Sequence, residues 1–288
     1  MVYKIGWFST GRGPGSRNLL KTILENIESG VINAEISFVF CNREQGEAEG
    51  SDLYLKMVKE HGLNLTSFSS RIFKPEMRKQ GKDDPHIMRQ WRIEYDKEVM
   101  SRLNYCPSDI NVLAGYMLIL GDEMCEKYNL INLHPAAPDG PAGTWQEVIW
   151  KLIEIRAAQS GVMIHLVTKD LDMGPRITFC TFPLRDSFID PLWEKHEQQL
   201  KSRSLKQIIE EEGGNNELFK EIRRRGVKRE LPLIVQTLKT FSERKISIKD
   251  KQVIVDNQIQ HQPYCLTEQI ETFIKDWVCK PPFDKGGS

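Results

Sequence analysis

The first half of the chain alternates short apolar runs with longer amphipathic stretches, and this pattern constrains the fold more than any other feature. Tyr3–Phe8 reads as a buried strand, Ser9–Ser16 as a glycine-rich turn, and Arg17–Glu28 as an amphipathic helix. Ala34–Cys41 is a second strand with Ile36, Phe38 and Phe40 on one face. A helix follows around Asp52–His61, then an extended piece near Leu65. Asp109–Leu113 reads as a strand, Asn132 ends another, and Thr144–Ala158 is helical. Strands separated by helices need crossover connections, which make the sheet parallel and doubly wound. The expected class is therefore α/β with a mainly parallel sheet. Ligands of such sheets bind outside the carboxyl ends of the strands. The turns after Phe8, Leu113 and Asn132 are the places to look for a site.

The remainder is more varied. Ser69–His86 is charged, contains Pro and Gly, and reads as a surface insertion or mobile loop. Val162–Val167 and Arg176–Phe182 read as strands joined by the turn Leu171–Pro175. Pro191–Arg225 and Glu230–Ser242 read as helical, with a break at Gly213-Gly214. Ile246–Ile248 and Val253–Asp256 read as a small hairpin, and Asp284–Ser288 as an unstructured tail.

Composition narrows the function classes. Forty basic residues balance forty acidic ones, so the chain carries no global field for nucleic acid or a membrane surface. We expect neither as a partner. The N-terminus enters a strand at once and lacks the apolar core of a secretory leader. No apolar run approaches the roughly 18 residues of a spanning helix. The six cysteines are scattered without a C-x-x-C pair and read as reduced thiols, so a cytoplasmic location is expected.

Three motifs bear on chemistry. Gly11-Arg12-Gly13-Pro14-Gly15-Ser16 lies between the first strand and the first helix. It suits either a tight turn with Ser16 capping the helix or a phosphate cradle of free backbone N–H groups. It lacks the G-K-[ST] of a P-loop and the regular G-x-G-x-x-G of a dinucleotide fold. The second strand also ends in Cys41-Asn42-Arg43, with no acid for a ribose.

Asn132 and His134 follow an apolar run and stand two apart, so in extended chain they point to the same side. Asp172, in Asp170-Leu171-Asp172-Met173-Gly174-Pro175, is either a turn aspartate or a third member of the same constellation. A carboxamide, an imidazole and a carboxylate together suit transfer of a one-carbon acyl group. They supply donors for the carbonyl oxygen and a group to move protons. His165 shares a strand face with Met163 and Val167 and is either a satisfied core histidine or a support for this set, with Thr168 as a second support. The basic run Arg223–Arg225 with Lys228 and Arg229 reads as the polar end of a helix or a grip on an anion.

Val112–Leu120, Ile131–Pro135 and Gly161–Pro175, in this order and spacing, resemble the glycinamide ribonucleotide formyltransferases. The glycine loop with Gly15, Ser16 and Asn18, the segment Arg92–Asp96 and the later Leu231–Val235 extend the resemblance over nearly the whole chain. It implies a Rossmann-like formyltransferase fold that moves a formyl group from 10-formyltetrahydrofolate to an amine in purine synthesis, without a metal. It implies Asn132 on the formyl oxygen, His134 as an imidazolium on the oxyanion, and Asp172 holding His134 charged and relaying the amine's proton. It places the folate along Met117, Leu118, Ile119 and Leu120, and the acceptor's phosphate on Gly13, Gly15, Ser16 and Asn18. Arg92 would meet an anion of either ligand.

The implied partners are the folate donor and a phosphorylated amine, with a homodimer left open. The expected division is a catalytic domain over 1–190 carrying the insertion at 69–86, and a helical and hairpin region over 191–288. The departures fall on the substrate grips. Arg17 intervenes between Ser16 and Asn18, Leu118 stands where the family often has arginine, and Ala136–Asp139 replace a Ser-Leu-Leu-Pro run. Val227 stands where an acid would meet the acceptor, with Glu230 nearby. Hydrolysis of the same donor, formylation of an amino sugar, and a catalytically silent folate- or nucleotide-binding protein are the alternatives. A tRNA formyltransferase would need a basic terminal domain.

Overall fold

The computed structural model describes residues 2–170, 172–260 and 262–279. Leu171 and the tail Asp284–Ser288 lie outside the described residues. The elements run β1 (Tyr3–Ser9), α1 (Pro14–Glu28), β2 (Ala34–Cys41), α2 (Glu49–Glu60), β3 (Leu65–Ser67), α3 (Pro75–Gln80), α4 (Pro85–Arg102) and β4 (Ile110–Leu113). They continue with α5 (Asp122–Lys127), β5 (Leu130–His134), α6 (Trp145–Glu154), β6 (Gln159–Leu166), β7 (Arg176–Pro183), α7 (Asp190–Leu200) and α8 (Leu205–Glu212). After a 3-10 turn come α9 (Glu217–Ser242), β8 (Ile246–Lys249), β9 (Gln252–Val255), β10 (Gln258–Ile259), β11 (Tyr264–Cys265) and α10 (Thr267–Cys279). This is an α/β fold with a mainly parallel sheet.

The described residues form two compact units, one of residues 2–132, 165–170, 172–175 and 238–260, the other of residues 133–164, 176–237 and 262–279. In the first unit the strand order is β5-β4-β1-β2-β3, with every neighbouring pair parallel. Phe8 on β1 lies opposite Phe40 on β2, and with Phe38 these rings face α4, where Trp91, Tyr95 and Val99 are buried at helical spacing. Trp91 stacks on Tyr95 at 5.1 Å and Tyr95 on Phe68 at 5.2 Å.

The segment 69–86 is packed rather than loose. Phe73 sets its edge on Trp91, the Trp91 indole N–H donates to the Phe73 carbonyl at 2.9 Å, and Arg78 lies over the same indole. Three antiparallel strands, β8, β9 and β10, close the unit through two tight turns. Their central residues Asp250, Lys251, Asp256 and Asn257 all have positive φ, as two-residue hairpin turns require.

In the second unit the strand order is β11-β7-β6. Its core joins Val148, Ile149 and Leu152 of α6 to Trp193 of α7 and to Leu218, Phe219 and Ile222 of α9. α6 begins with a reciprocal capping box between Thr144 and Glu147. The separation expected between Arg225 and Glu230 is absent, because α9 runs unbroken through Gly226 and Pro232. Burial on both sides of those residues, from Leu218 to Phe241, outweighs the helix-breaking cost of the proline. The break at Gly213-Gly214 is present as the 3-10 turn.

Candidate active site

β4 and β5 pair so that Leu113 lies opposite Asn132. Beyond Leu113 the chain turns through Gly115, at φ 68°, into the strip Tyr116–Leu120. A side chain at Gly115 would place its Cβ 2.8 Å from Ser16 Oγ, so the strip and the start of α1 are in close contact. The end of β1 fixes the strip from below. Ser9 Oγ donates to the Ala114 carbonyl at 2.7 Å, Thr10 N–H to the Gly115 carbonyl at 3.2 Å, and Met117 N–H to Thr10 Oγ1 at 2.9 Å.

The other wall comes from the turn after β6. Val167 N–H donates to the Leu130 carbonyl at 2.7 Å, which ties this turn to β5. Leu166 N–H then donates to the Pro175 carbonyl at 2.8 Å and closes it. A Cβ on Gly174 would lie 1.7 Å from the Leu166 carbonyl oxygen, so only glycine lets the chain fold back this tightly. Asp172 holds a left-handed φ of 56°, and Thr168 Oγ1 braces the turn by donating to the Asp170 carbonyl.

These walls enclose a cavity of about 270 Å³ lined by Leu113, the strip Tyr116–Leu120, Cys125, Asn132, His165, Val167–Lys169 and Asp172. Asn132, Asp172, His165, Thr168 and the whole Met117–Leu120 segment are thus brought together. His165 is buried, with Nδ1 3.1 Å from the Leu166 carbonyl oxygen and Nε2 3.5 Å from an Asp172 carboxylate oxygen. His134 is buried at the carboxyl end of β5 and belongs to the second unit. Its two-residue spacing from Asn132 falls within one strand, so both side chains leave the same face of β5.

The glycine loop opens α1, but not as a Ser16 cap. Gly13 is the N-cap, Pro14 the first helical residue, and no side chain caps the helix. The N–H groups of Gly13, Gly15 and Ser16 are consequently left without intrahelical acceptors. No atom lies within 4 Å of where a Cβ would sit on Gly13 or Gly15, and Asn18 is exposed. Arg17, the residue that interrupts the motif, turns away to donate to the Gly50 carbonyl at 3.1 Å. Arg92 does not line the cavity; its charge acts on Asp96.

Sequence reasoning passed over Asp96 as a functional group. It is buried on α4, and one carboxylate oxygen accepts from the N–H of Gly121, the residue after the strip, at 2.5 Å. Burial pushes its pKa up to about 7, against the pull of the Gly121 N–H and the Arg92 charge. Its position among the buried residues of α4, directly after Tyr95, was the available signal. Burial raises the Cys125 thiol to about 11, so it is a packing group rather than a nucleophile. Among the described residues no group of three or more His, Cys, Asp or Glu is placed to hold a metal ion.

The family profile for formyl transferase matches residues 13–184, well over half of the chain. The phosphoribosylglycinamide formyltransferase of Dictyostelium discoideum is 29% identical over 214 residues, covering 70% of this chain and 95% of that protein. The Escherichia coli protein of the same name is 30% identical, over 59% of this chain and 70% of that protein. The solved phosphoribosylglycinamide formyltransferase of Coxiella burnetii shares the fold with a TM-score of 0.63 at 18% identity, covering 92% of this chain and 99% of that one. A formyltetrahydrofolate deformylase from Pseudomonas syringae shares it with a TM-score of 0.57 at 18% identity, covering 88% and 66%. With the profile spanning both the glycine loop and the Asn132–Asp172 site, the chain belongs to the formyl transferase family.

Proposed function

We propose that this protein transfers the formyl group of 10-formyltetrahydrofolate to the amine of glycinamide ribonucleotide, a step of purine biosynthesis and one-carbon metabolism. The observation that carries the reading is the convergence of Asn132, His165 and Asp172 on one cavity walled by Met117–Leu120. The names of the Dictyostelium and Escherichia relatives support the acceptor.

In this mechanism the amine nitrogen attacks the formyl carbon and the carbonyl electron pair moves onto oxygen. The Asn132 carboxamide N–H and a protonated His134 donate to that oxyanion; one such donor is worth about 3 kcal/mol. Asp172, set beside His165, receives the proton lost by the attacking nitrogen, through water. The bond from carbon to the folate N10 then breaks, the carbonyl reforms, and N10 leaves with the proton that Asp172 returns through water. The acceptor's phosphate rests on the N–H groups of the glycine loop at Gly13, Gly15 and Ser16, beside Asn18.

Hydrolysis is the second reading, supported by the likeness to the Pseudomonas deformylase. Water would then replace the amine at the same groups. The test follows release of tetrahydrofolate from 10-formyltetrahydrofolate with and without glycinamide ribonucleotide. Release only with the acceptor supports transfer, and release without it supports hydrolysis. No release in either case refutes both.

A further inference from the structure

The strip Tyr116–Leu120 is irregular chain. Among the described residues, the backbone N–H and carbonyl groups of Leu118, Ile119 and Leu120 make no hydrogen bond. Side chains from other elements hold the strip at its two ends. At the first, Thr10 Oγ1 accepts from Met117 N–H at 2.9 Å. At the second, buried Asp96 accepts from Gly121 N–H at 2.5 Å. A Cβ on Gly121 would lie 3.1 Å from the same Asp96 oxygen and 3.9 Å from the Ile93 main chain, so the strip ends directly against α4.

Gly121 also opens α5. It is the N-cap of that helix, and its carbonyl accepts from Cys125 N–H at 3.1 Å. Leu120 and Cys125, on either side of this junction, both line the cavity, whereas Asp96 does not. One carboxylate thus fixes the end of the strip and the start of α5 together. Stability does not account for the choice of residue. A buried carboxylate costs more than an apolar side chain of the same shape unless its bonds offset the loss of water, and burial has raised the Asp96 pKa to about 7. A packing rule broken beside a cavity marks a functional position.

We propose that Asp96 is a positioning residue for the formyl donor, holding the strip through Gly121 so that the unpaired backbone groups of Leu118–Leu120 meet the donor as a fixed edge. The inference rests on the formyl-donor reading of the cavity. A loose strip would have to be ordered at each binding event, and a strip fixed beforehand avoids that cost. Asp96 therefore acts on donor affinity and leaves the chemical step to the residues assigned above.

The test compares three variants of the full chain by fluorescence quenching with folate, by turnover of 10-formyltetrahydrofolate, and by hydrogen exchange at the Gly121 and Met117 amides. Asp96→Leu copies the shape of the side chain without an acceptor, Asp96→Ala removes it, and Asp96→Asn keeps an acceptor for Gly121. The Leu and Ala variants should each weaken folate binding roughly tenfold. They should raise KM in step while kcat stays within about twofold. Exchange at Gly121 should speed up while Met117 stays protected. The Asn variant should keep folate affinity and Gly121 protection within about threefold of wild type. Either acceptor-free variant suffices should the other not fold. Unchanged folate affinity without an acceptor, an equal loss in the Asn variant, or Met117 exchange rising with that of Gly121 would each overturn the positioning role and leave the donor reading intact. Absence of folate binding by the wild type would overturn both.

Discussion

Asp96→Asn should make the protein more stable at alkaline pH, although it alters a hydrogen-bonded group beside the candidate site. In the fold the Asp96 carboxyl has its pKa raised from 3.8 to about 7 by burial. The native state therefore binds a proton that the unfolded chain releases at lower pH. Across that window stability falls as pH rises, and above about pH 7 the full cost of burying the charge is present. A pKa displaced that far corresponds to about 4 kcal/mol. Asparagine cannot ionise, and its carboxamide oxygen can still accept from Gly121 N–H. Its extra amide hydrogens, buried without an assured acceptor, cost about 1 kcal/mol at any pH. The variant should gain on wild type by about 2–3 kcal/mol between about pH 5 and about pH 8. Urea denaturation at both pH values measures the gap. An equal gap at the two pH values would show that Asp96 ionises normally and refute the burial argument.

Further perturbations probe other parts of the molecule. Asp172→Asn should lower formyl-group turnover by roughly a hundredfold or more while folate binding, measured by fluorescence quenching, stays near wild type; retained turnover would remove Asp172 from the mechanism. Gly174→Ala forces a Cβ against the Leu166 carbonyl and should cost roughly 2 kcal/mol or more, read as a lower melting temperature together with lost activity. Arg225 bridges Asp186 and the buried Glu221; Arg225→Ala should cost about 3 kcal/mol in chemical denaturation, since it leaves Glu221 underpaired. Thr144→Ala removes the capping box of α6 and should cost about 1 kcal/mol by the same measurement.

Much of the fold was legible because its signals are local. Phe38 and Phe40 alternate along β2, and the crossover helices follow from chain order alone. That Asn132 and His134 fall on one strand, β5, was equally legible from their spacing and the apolar run before them. Other features depend on partners far away in sequence. α4 carries many charges around Trp91, Tyr95 and Val99, so its buried stripe emerges only once the sheet is present. Gly226 and Pro232 read as punctuation, and only the packing along α9 overrides them. The ionisation of Asp96 is set by its surroundings, which no spacing rule encodes. Ser16 looked like a helix cap because serine is a good one; Pro14, fitted to the first helical position, moved the helix start upstream.

The backbone of the turn after β6 restricts which acid can stand there. A residue at φ 56° is tolerated best by glycine, asparagine and aspartate, whose short side chains meet little clash in the left-handed region. Of these three only aspartate is a carboxylate. Glutamate at position 172 would therefore fail twice, by reaching too far and by straining the main chain that presents it. Drift at this position has one unstrained path that keeps the turn and nearly the shape of the side chain, namely to asparagine, which abolishes the charge. If the proposed mechanism holds, retention of aspartate at 172 is thus a sharper marker of working chemistry in this scaffold than retention of a carboxylate would be on an ordinary strand.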